Sequence, residues 1–341
     1  MRAVTIGLTA LAAVVAAGLG VLQAADATPV TIAVLRGDGV LVPFVTRTGD
    51  RWANTWPVPA KAADVDLALD DVPKRWWGKP GLTKTWHAWQ IDGSTSDVVP
   101  EKPTWYLAHC QQGVGLTTKL TARPPIPPPT VQPYPKLGLA STAPLTFHRI
   151  EPVDQRAPIW AAVVEAMTTA LAEAESKMDG TIKMDGFVPK HPIPDAERAK
   201  TPVRVESLYR MPIGGDRFLY YVEATKRYGM PPMSAGRVAK TPSPRKDGCG
   251  VMSFAEGWFV AGTEAKIATK PKLDELRVVG CDYDTVALML PLGYIEDGPN
   301  PLWIGQLTGW ENESFVVLRW EPEKGMPVLE FQTHGGWCVQ D

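Results

Sequence analysis

The sequence predicts a mainly β (α+β) fold of antiparallel strands with one amphipathic helix. Three observations lead to this prediction. Short runs rich in β-branched and aromatic residues recur along the chain, turn residues separate nearly all of them, and one window keeps a helical period. Strands at such even spacing are typical of antiparallel meanders packed as a sandwich, an open barrel or a propeller-like array. All three arrangements stay open at this point.

The amino end has the pattern of an export signal. Met1-Arg2 gives a positive start, residues 3–22 are uncharged, and Ala25-Asp26-Ala27 places small residues where a signal peptidase reads them. We expect a signal peptide at 1–27, with cleavage after Ala24 as the competing choice. The mature chain is then secreted or periplasmic, and the short Ala-rich signal favours a bacterial source. A retained anchor is the alternative, because about 20 apolar residues span a bilayer. No membrane-spanning segment is expected after cleavage.

The first hairpin is predicted at the start of the mature chain. Residues 30–35 and 40–45 are strand-like, and Arg36-Gly-Asp-Gly39 joins them with a glycine that accepts a positive φ. In a later strand, alternation of side chains places His87 and Trp89 on one face. Further strands of this region are expected at 84–91 and 104–109.

The clearest boundary in the sequence is the Pro-rich segment 123–135. It holds seven prolines in thirteen residues, and proline neither donates ladder hydrogen bonds nor enters a helix interior. We expect an extended linker here. It would separate an N-terminal β-rich region, 28–122, from a region at 136–341 that contains the helix and a C-terminal antiparallel β domain.

The single helix is predicted at about 157–177. Pro158 suits a first helical position, and apolar residues such as Val163, Met167 and Leu171 recur at spacings of three and four. This stripe is more typical of a helix packed on a core than of a partner-binding face. Residues 178–201 then predict a long irregular loop.

The remaining chain predicts a series of short strands separated by turns. One of the predicted turns is Glu256-Gly257, and the segment 230–247 predicts an exposed basic loop. The strands are expected at 203–209, 217–224, 250–254, 258–261, 276–281, 285–292, 302–307, 315–320 and 327–333.

Export places the four cysteines in an oxidising compartment, where two disulfides are expected. Three pairings of Cys110, Cys249, Cys281 and Cys338 exist, and the sequence does not decide between them. We favour Cys249–Cys281, since both end or begin strand-like runs. Cys110–Cys338 would then tie the first half of the chain to its carboxyl end.

No metal and no cofactor is expected. A zinc site built from His109, Cys110, His334 and Cys338 is the sharpest alternative. It is not favoured, because adjacent residues of a strand point to opposite faces and the chain has no closely spaced cysteine pair.

Composition excludes some partners and indicates others. The 341 residues include 35 Lys and Arg against 37 Asp and Glu, so nucleic acid is not expected as a partner. Tryptophan is abundant, with 13 residues, and exposed indoles are common stacking platforms for sugar rings in exported β proteins. Trp76-Trp77, flanked by basic residues, and Trp310, beside acidic ones, are the binding candidates. The alternative is that most tryptophans are structural anchors.

The sequence contains no catalytic signature. It lacks a Gly-x-Ser-x-Gly elbow, a His-Glu-x-x-His pair and a phosphate-cradling loop, so no catalytic residue is assigned. We expect an exported, non-catalytic β-rich binding or structural protein that recognises a glycan or a cell-envelope partner. Two alternatives remain open. One is a glycosidase-like hydrolase with a carboxylate pair, and the other is an accessory subunit of an envelope assembly that uses the basic segment near 237–246.

Overall fold

The computed structural model confirms a mainly β chain with antiparallel sheets. The export signal predicted at 1–27 and the Pro-rich segment 123–135 lie outside the described residues and stay predictions. The described residues are 28–54, 67–68, 71–72, 76, 78–79, 82–83, 85–108, 111–120, 136–178, 191–229, 248–262, 266–281, 283, 286–309 and 312–337.

Eight of the first ten strands form one sheet, which we call the first sheet. The ten strands are β1 (Val30–Arg36), β2 (Leu41–Thr48), β3 (Arg51–Asn54), β4 (Gly78–Lys79), β5 (Leu82–Thr83), β6 (Trp86–Gln90), β7 (Thr95–Val98), β8 (Lys102–Ala108), β9 (Gln111–Thr117) and β10 (Lys136–Ser141). The order in the first sheet is β7-β6-β10-β1-β2-β9-β8, with β3 paired to β2, while β4 and β5 form a separate ladder. The predicted first hairpin is confirmed: β1 pairs with β2, and Gly39 has a φ of 79° in the turn.

In the described part of the chain after β10, two five-stranded sheets follow, together with two helices. The helices are α1 (Ile159–Met178) and the short α2 (Asp195–Arg198). The strands are β11 (Phe147–His148), β12 (Glu151–Pro152), β13 (Arg204–Pro212), β14 (Arg217–Tyr228), β15 (Val251–Gly262), β16 (Lys272–Gly280), β17 (Leu288–Ile295), β18 (Leu302–Thr308), β19 (Asn312–Glu321) and β20 (Met326–Trp337). The central sheet has the order β11-β17-β18-β19-β20, and the outer sheet has the order β12-β13-β14-β15-β16.

The central sheet is covered on both faces, which makes the molecule a stack of layers. On one face, Leu292, Ile304 and Phe315 pack against Ile32 and Phe44 of the first sheet. On its other face the central sheet packs against the outer sheet, and α1 covers the far face of the outer sheet. All eight residues of β17 are buried as a result. The predicted mainly β class of antiparallel sheets with one amphipathic helix is therefore confirmed. Where the sequence left a sandwich, an open barrel and a propeller-like array open, the described residues form three layered sheets covered by α1.

The strand that follows the Pro-rich segment belongs to the first sheet. β10 lies between β1 and β6 and pairs with both. The predicted division of the chain into 28–122 and 136–341 therefore does not follow the sheets, because a strand from the second region completes the hydrogen bonding of the first.

The predicted helix is confirmed, with bounds that differ by two residues at the start and one at the end. Ile159, Val163, Met167 and Leu171 are buried on the outer sheet, as their spacing predicts. Glu175 continues the same spacing of four and is buried as well, although the sequence analysis did not place it on this face.

The turn predicted at Glu256-Gly257 is wrong. Both residues lie inside the continuous twelve-residue strand β15. A bulge in the pairing of β15 with β16 falls here, and a Cβ at Gly257 would lie 2.5 Å from the carbonyl oxygen of Lys272. Glycine is required at this position because a neighbouring backbone approaches closely, and the chain does not turn.

Candidate functional site

A cleft of about 420 Å³ opens beside the edge of the first sheet. One wall is the hairpin of β6 and β7, whose turn is closed by hydrogen bonds from the backbone N–H and hydroxyl of Ser94 to Asp92. The other wall is the segment 144–147, which leads from the first sheet to β11 of the central sheet. The cleft therefore lies where these two sheets meet, and its volume falls in the range of small-molecule sites.

His87 and Asp97 form the polar rim of this cleft. They are cross-strand partners on β6 and β7, and Nδ1 of His87 lies 2.7 Å from Oδ1 of Asp97. The side chain of Asp97 is 69% exposed and that of His87 is 35% exposed. Both groups are therefore open to a ligand in solvent, while their mutual hydrogen bond fixes the ring and the carboxylate relative to each other.

Aromatic and aliphatic side chains line the deeper part of the cleft. Trp89 shares a face with His87, as alternation along β6 predicts, and its ring lies 6.4 Å from the ring of Phe147, centroid to centroid. Both rings are nearly buried in the core between the first and central sheets. Leu145 packs against the same core, and Thr95 and Thr146 add hydroxyl groups to the lining. The site thus combines an apolar base with a polar rim.

The tryptophan candidates from the sequence do not lie at this cleft. Trp76 is fully buried in the core on the other face of the first sheet, and its carbonyl oxygen accepts a hydrogen bond from the indole of Trp86. The exposed stacking role predicted for Trp76 is therefore wrong, because its indole completes that core. Trp77 and Trp310 lie outside the described residues.

A second polar group, which we call the serine cluster, has the residue types of a catalytic triad. It consists of Ser253, His191 and Glu175 with Lys226 and Tyr228, and all five are buried. Nε2 of His191 lies 2.9 Å from the Ser253 hydroxyl, and that hydroxyl donates to Glu175 at 2.6 Å. Lys226 and Tyr228 donate to the same carboxylate at 2.8 and 2.6 Å.

The hydrogen bonds of the serine cluster run in the wrong direction for a nucleophile. The backbone N–H of Ile193 donates to Nδ1 of His191, so Nε2 carries the proton of the neutral ring and donates to Ser253. A catalytic histidine must instead accept the serine proton. The cluster therefore anchors the segment that begins at His191 to α1 and the outer sheet.

A third polar group lies between the outer and central sheets and is called the glutamate cluster. Glu223 is 1% exposed and accepts hydrogen bonds from the Ser207 hydroxyl at 2.5 Å and the Met289 N–H at 2.8 Å. The Tyr221 hydroxyl lies 3.0 Å from Glu223 and 2.7 Å from Glu256. Burial raises the pKa of Glu223 to about 7, and the hydrogen bonds from Ser207, Met289 and Tyr221 offset only part of this effect.

The sequence analysis missed both buried clusters. Sequence spacing does not bring Glu223 and Glu256 together, because they meet only through the pairing of β14 with β15. A signal was present, because Glu223 interrupts the apolar run of residues 218–224.

The favoured cysteine pairing is confirmed for one pair. Cys249 precedes β15, Cys281 follows β16, and their Cα atoms are 6.0 Å apart in a disulfide that closes the ends of these paired strands. Cys110 and Cys338 lie outside the described residues, so their pairing stays a prediction.

Within the described part of the chain, no three His, Cys, Asp or Glu residues are arranged to hold a metal ion. None of its helices has the length and apolar character needed to cross a bilayer. Comparison of the chain with protein-family models, curated proteins and solved structures finds no significant match.

Proposed function

We propose that this chain is an exported binding protein without catalytic activity, and that it holds a glycan in the cleft of His87 and Asp97. The observation that carries the proposal is the pairing of an exposed His–Asp rim with a base of Trp89 and Phe147. Sites for small ligands typically combine an apolar lining with a few polar groups that fix orientation.

The groups at the rim favour a hydroxyl-rich ligand. The carboxylate of Asp97 accepts hydrogen bonds, the imidazole of His87 can donate or accept, and Thr95 and Thr146 supply hydroxyls that do both. Leu145 offers an apolar surface for the C–H groups of a sugar ring. The charge of Asp97 disfavours phosphates and other anions. A neutral or amino-bearing saccharide therefore fits better than an acidic one.

The two buried clusters argue against the hydrolase alternative. Glycoside hydrolysis requires two carboxylates that flank the scissile bond, but Glu223 is buried between two sheets, and its carboxyl oxygens are within hydrogen-bond distance of Ser207, Met289 and Tyr221. Ser253 donates its proton to Glu175 and accepts from His191. In the described part of the chain, these acid and serine groups are closed to a substrate.

A cell-envelope partner would occupy the same cleft, since the polymers of the cell envelope present saccharides. The basic segment near 237–246, on which the accessory-subunit alternative depends, lies outside the described residues. We therefore propose the glycan as the ligand and keep the accessory role as the alternative.

Calorimetric titration of the mature protein with neutral, amino-bearing and acidic oligosaccharides tests the proposal. We expect saturable binding to a neutral or amino-bearing member of the panel. Asp97→Asn and His87→Ala should each weaken that binding by about tenfold, the effect of losing about one charge-assisted hydrogen bond. Asp216→Asn, an exposed aspartate in the turn before β14, is the matched control and should bind like the wild type.

Two results would overturn the proposal. One is the absence of binding across the panel by a folded protein. The other is binding that Asp97→Asn and His87→Ala leave unchanged, because the ligand would then occupy another surface.

A further inference from the structure

We propose that Glu223 and Glu256 share one proton through the hydroxyl of Tyr221, and that this buried proton stabilises the fold. The unit is built from adjacent strands, since Glu223 and Glu256 are direct partners in the pairing of β14 with β15. It is independent of the ligand cleft.

The shared proton is inferred from the number of hydrogens available, because the single phenol hydrogen of Tyr221 cannot satisfy two carboxylates. The Tyr221 hydroxyl lies within hydrogen-bond distance of Glu256 Oε2, at 2.7 Å, and of Glu223 Oε1, at 3.0 Å. A phenol has one hydrogen, and an ionised carboxylate only accepts. When Tyr221 donates to the nearer Glu256, its contact with Glu223 is a full hydrogen bond only if Glu223 carries a proton on Oε1. A protonated Oε1 still accepts the Met289 N–H, so every contact is then satisfied.

Tyr221 also offers a route by which the proton leaves the interior. The proton on Glu223 Oε1 passes to the phenol oxygen while the phenol proton passes to Glu256 Oε2. One O–H bond forms for each that breaks, and the net charge does not change. Glu223 is buried, whereas Glu256 is partly exposed, so the proton is released to water from Glu256. Two ionised carboxylates then share a single phenol hydrogen.

Burial of Glu223 and the charge of Glu206 both oppose a second negative charge in the unit. Glu206 lies on β13, where its carboxylate is 3.2 Å from Arg227 and accepts a hydrogen bond from the Thr225 hydroxyl. Arg227 also donates a hydrogen bond to the hydroxyl of Tyr283.

The other elements packed around the unit bring further phenolic, acidic and apolar groups to it. Tyr209 on β13 has a pKa raised by burial and by the charge of Glu223. On β16, Asp274 accepts from the Trp258 indole, Glu275 is in register with Glu256, and Arg277 is in register with Phe254, two residues away. The central sheet contributes the Met289 N–H together with apolar side chains.

The sign of the pH dependence follows from these contacts. A carboxyl whose pKa is raised in the folded state binds its proton more tightly there than in the unfolded chain. The stabilisation of the fold by protonated Glu223 is complete below the ordinary pKa of glutamate. It is lost as the pH rises through about 7, the pKa of Glu223 in the folded chain. The free energy of unfolding should therefore fall as the solution becomes alkaline.

Carboxyl-carbon NMR of the mature protein labelled at glutamate tests the shared proton without any substitution. We expect one glutamate resonance to titrate near pH 7, the pKa of Glu223, whereas glutamate in a model peptide titrates at about 4.3. Tyr221→Phe removes the bridging hydrogen and should shift the midpoint of that titration. If all glutamates titrate below about pH 5.5, or if Tyr221→Phe leaves the midpoint unchanged, the proposal is overturned.

Urea unfolding between about pH 5 and about pH 8.5 tests the effect of this proton on the stability of the fold. Across this range, deprotonation of Glu223 should raise the unfolding equilibrium constant of the wild type by roughly 100-fold. Glu223→Gln, which stays neutral, should lose that rise, whereas Glu165→Gln on the exposed side of α1 should keep it. An equal rise in Glu223→Gln and the wild type would contradict the proposal. If Glu223→Gln does not fold, the NMR titration of the wild type decides.

Discussion

The carboxylate of Asp297 accepts hydrogen bonds from both terminal nitrogens of Arg47, at 3.0 and 2.9 Å, although 250 residues separate them. Arg319 donates to the same carboxylate at 2.8 Å. Arg47 lies on β2 of the first sheet, while Asp297 follows β17 and Arg319 lies on β19 of the central sheet. This ion-pair network therefore joins two sheets whose strands come from opposite ends of the chain.

Replacement of Asp297 by asparagine should destabilise the fold at neutral pH. Burial raises the pKa of Asp297, but the hydrogen bonds from Arg47 and Arg319 outweigh this effect and hold the pKa below its ordinary value. We expect the free energy of unfolding to fall by about 1.5–3 kcal/mol, the range for hydrogen bonds to charged groups. Urea unfolding at about pH 7 measures the loss.

The pH dependence of this variant provides the check. Because folding lowers the pKa of Asp297, the ionised carboxylate stabilises the fold at pH values above its unfolded pKa of 3.8. This stabilisation is lost as the pH falls through the pKa of Asp297 in the folded chain. The difference between wild type and Asp297→Asn should therefore narrow towards about pH 3. Asp216→Asn, at an exposed position, should show no such difference, and a gap that stays constant with pH would contradict the prediction.

Removal of the Cys249–Cys281 disulfide should also lower stability. The two cysteines are 32 residues apart in sequence, and the chain-entropy model gives about 3–4 kcal/mol for a loop of that size. Urea unfolding of Cys249→Ala/Cys281→Ala against the wild type measures the loss. Thiol titration of the denatured, unreduced wild type is the control for bond formation, and four reactive thiols would contradict both the observed pair and the pairing predicted for Cys110 with Cys338.

Substitution of Gly257 by alanine should disturb the bulge between β15 and β16. The added methyl group would lie 2.5 Å from the Lys272 carbonyl oxygen, so the backbone must shift, at a cost of about 1–3 kcal/mol. Gly229→Ala is the matched control, because a Cβ there meets nothing within 4 Å. Thermal or urea unfolding compares the two variants. Equal stability of both would show that the bulge adjusts without cost.

Replacement of His191 by leucine should release the segment that the serine cluster holds. The Ile193 N–H donates to Nδ1 of His191 at 3.1 Å, and leucine keeps comparable bulk but offers no acceptor. Hydrogen–deuterium exchange at the Ile193 amide should accelerate by about tenfold, since one hydrogen bond contributes about 1 kcal/mol. His148→Leu, which removes a histidine stacked on Tyr294, should leave exchange at Ile193 unchanged. Unchanged exchange in His191→Leu would contradict the anchoring role.

Much of the local structure was predictable because its causes are local. The period of α1 and the glycine in the first hairpin depend on residues within a few positions of one another, and both predictions are confirmed. Glu256-Gly257 shows where local patterns mislead. A turn and a close approach of another strand both require glycine, and only the position of Lys272 distinguishes them.

The polar interior was less predictable because its partners lie far apart in sequence. Glu223 is held by the amide of Met289, 66 residues later, and Glu175 by Ser253, 78 residues later. The same holds for Trp76, whose neighbours Trp86 and Leu116 decide that it is buried. Their partner strands are set by sheet pairing, which single-sequence periodicity does not contain.

The sequence by itself determined the mainly β class and the amphipathic helix, and it favoured the pairing of Cys249 with Cys281, because helical period, turn residues and strand ends depend on short segments of the chain. Only the tertiary structure decided that the central sheet is buried on both faces and that His87 and Asp97 border a cleft. The physical reason is that burial depends on which faces of distant strands pack together, and those contacts exist only once the sheets have stacked.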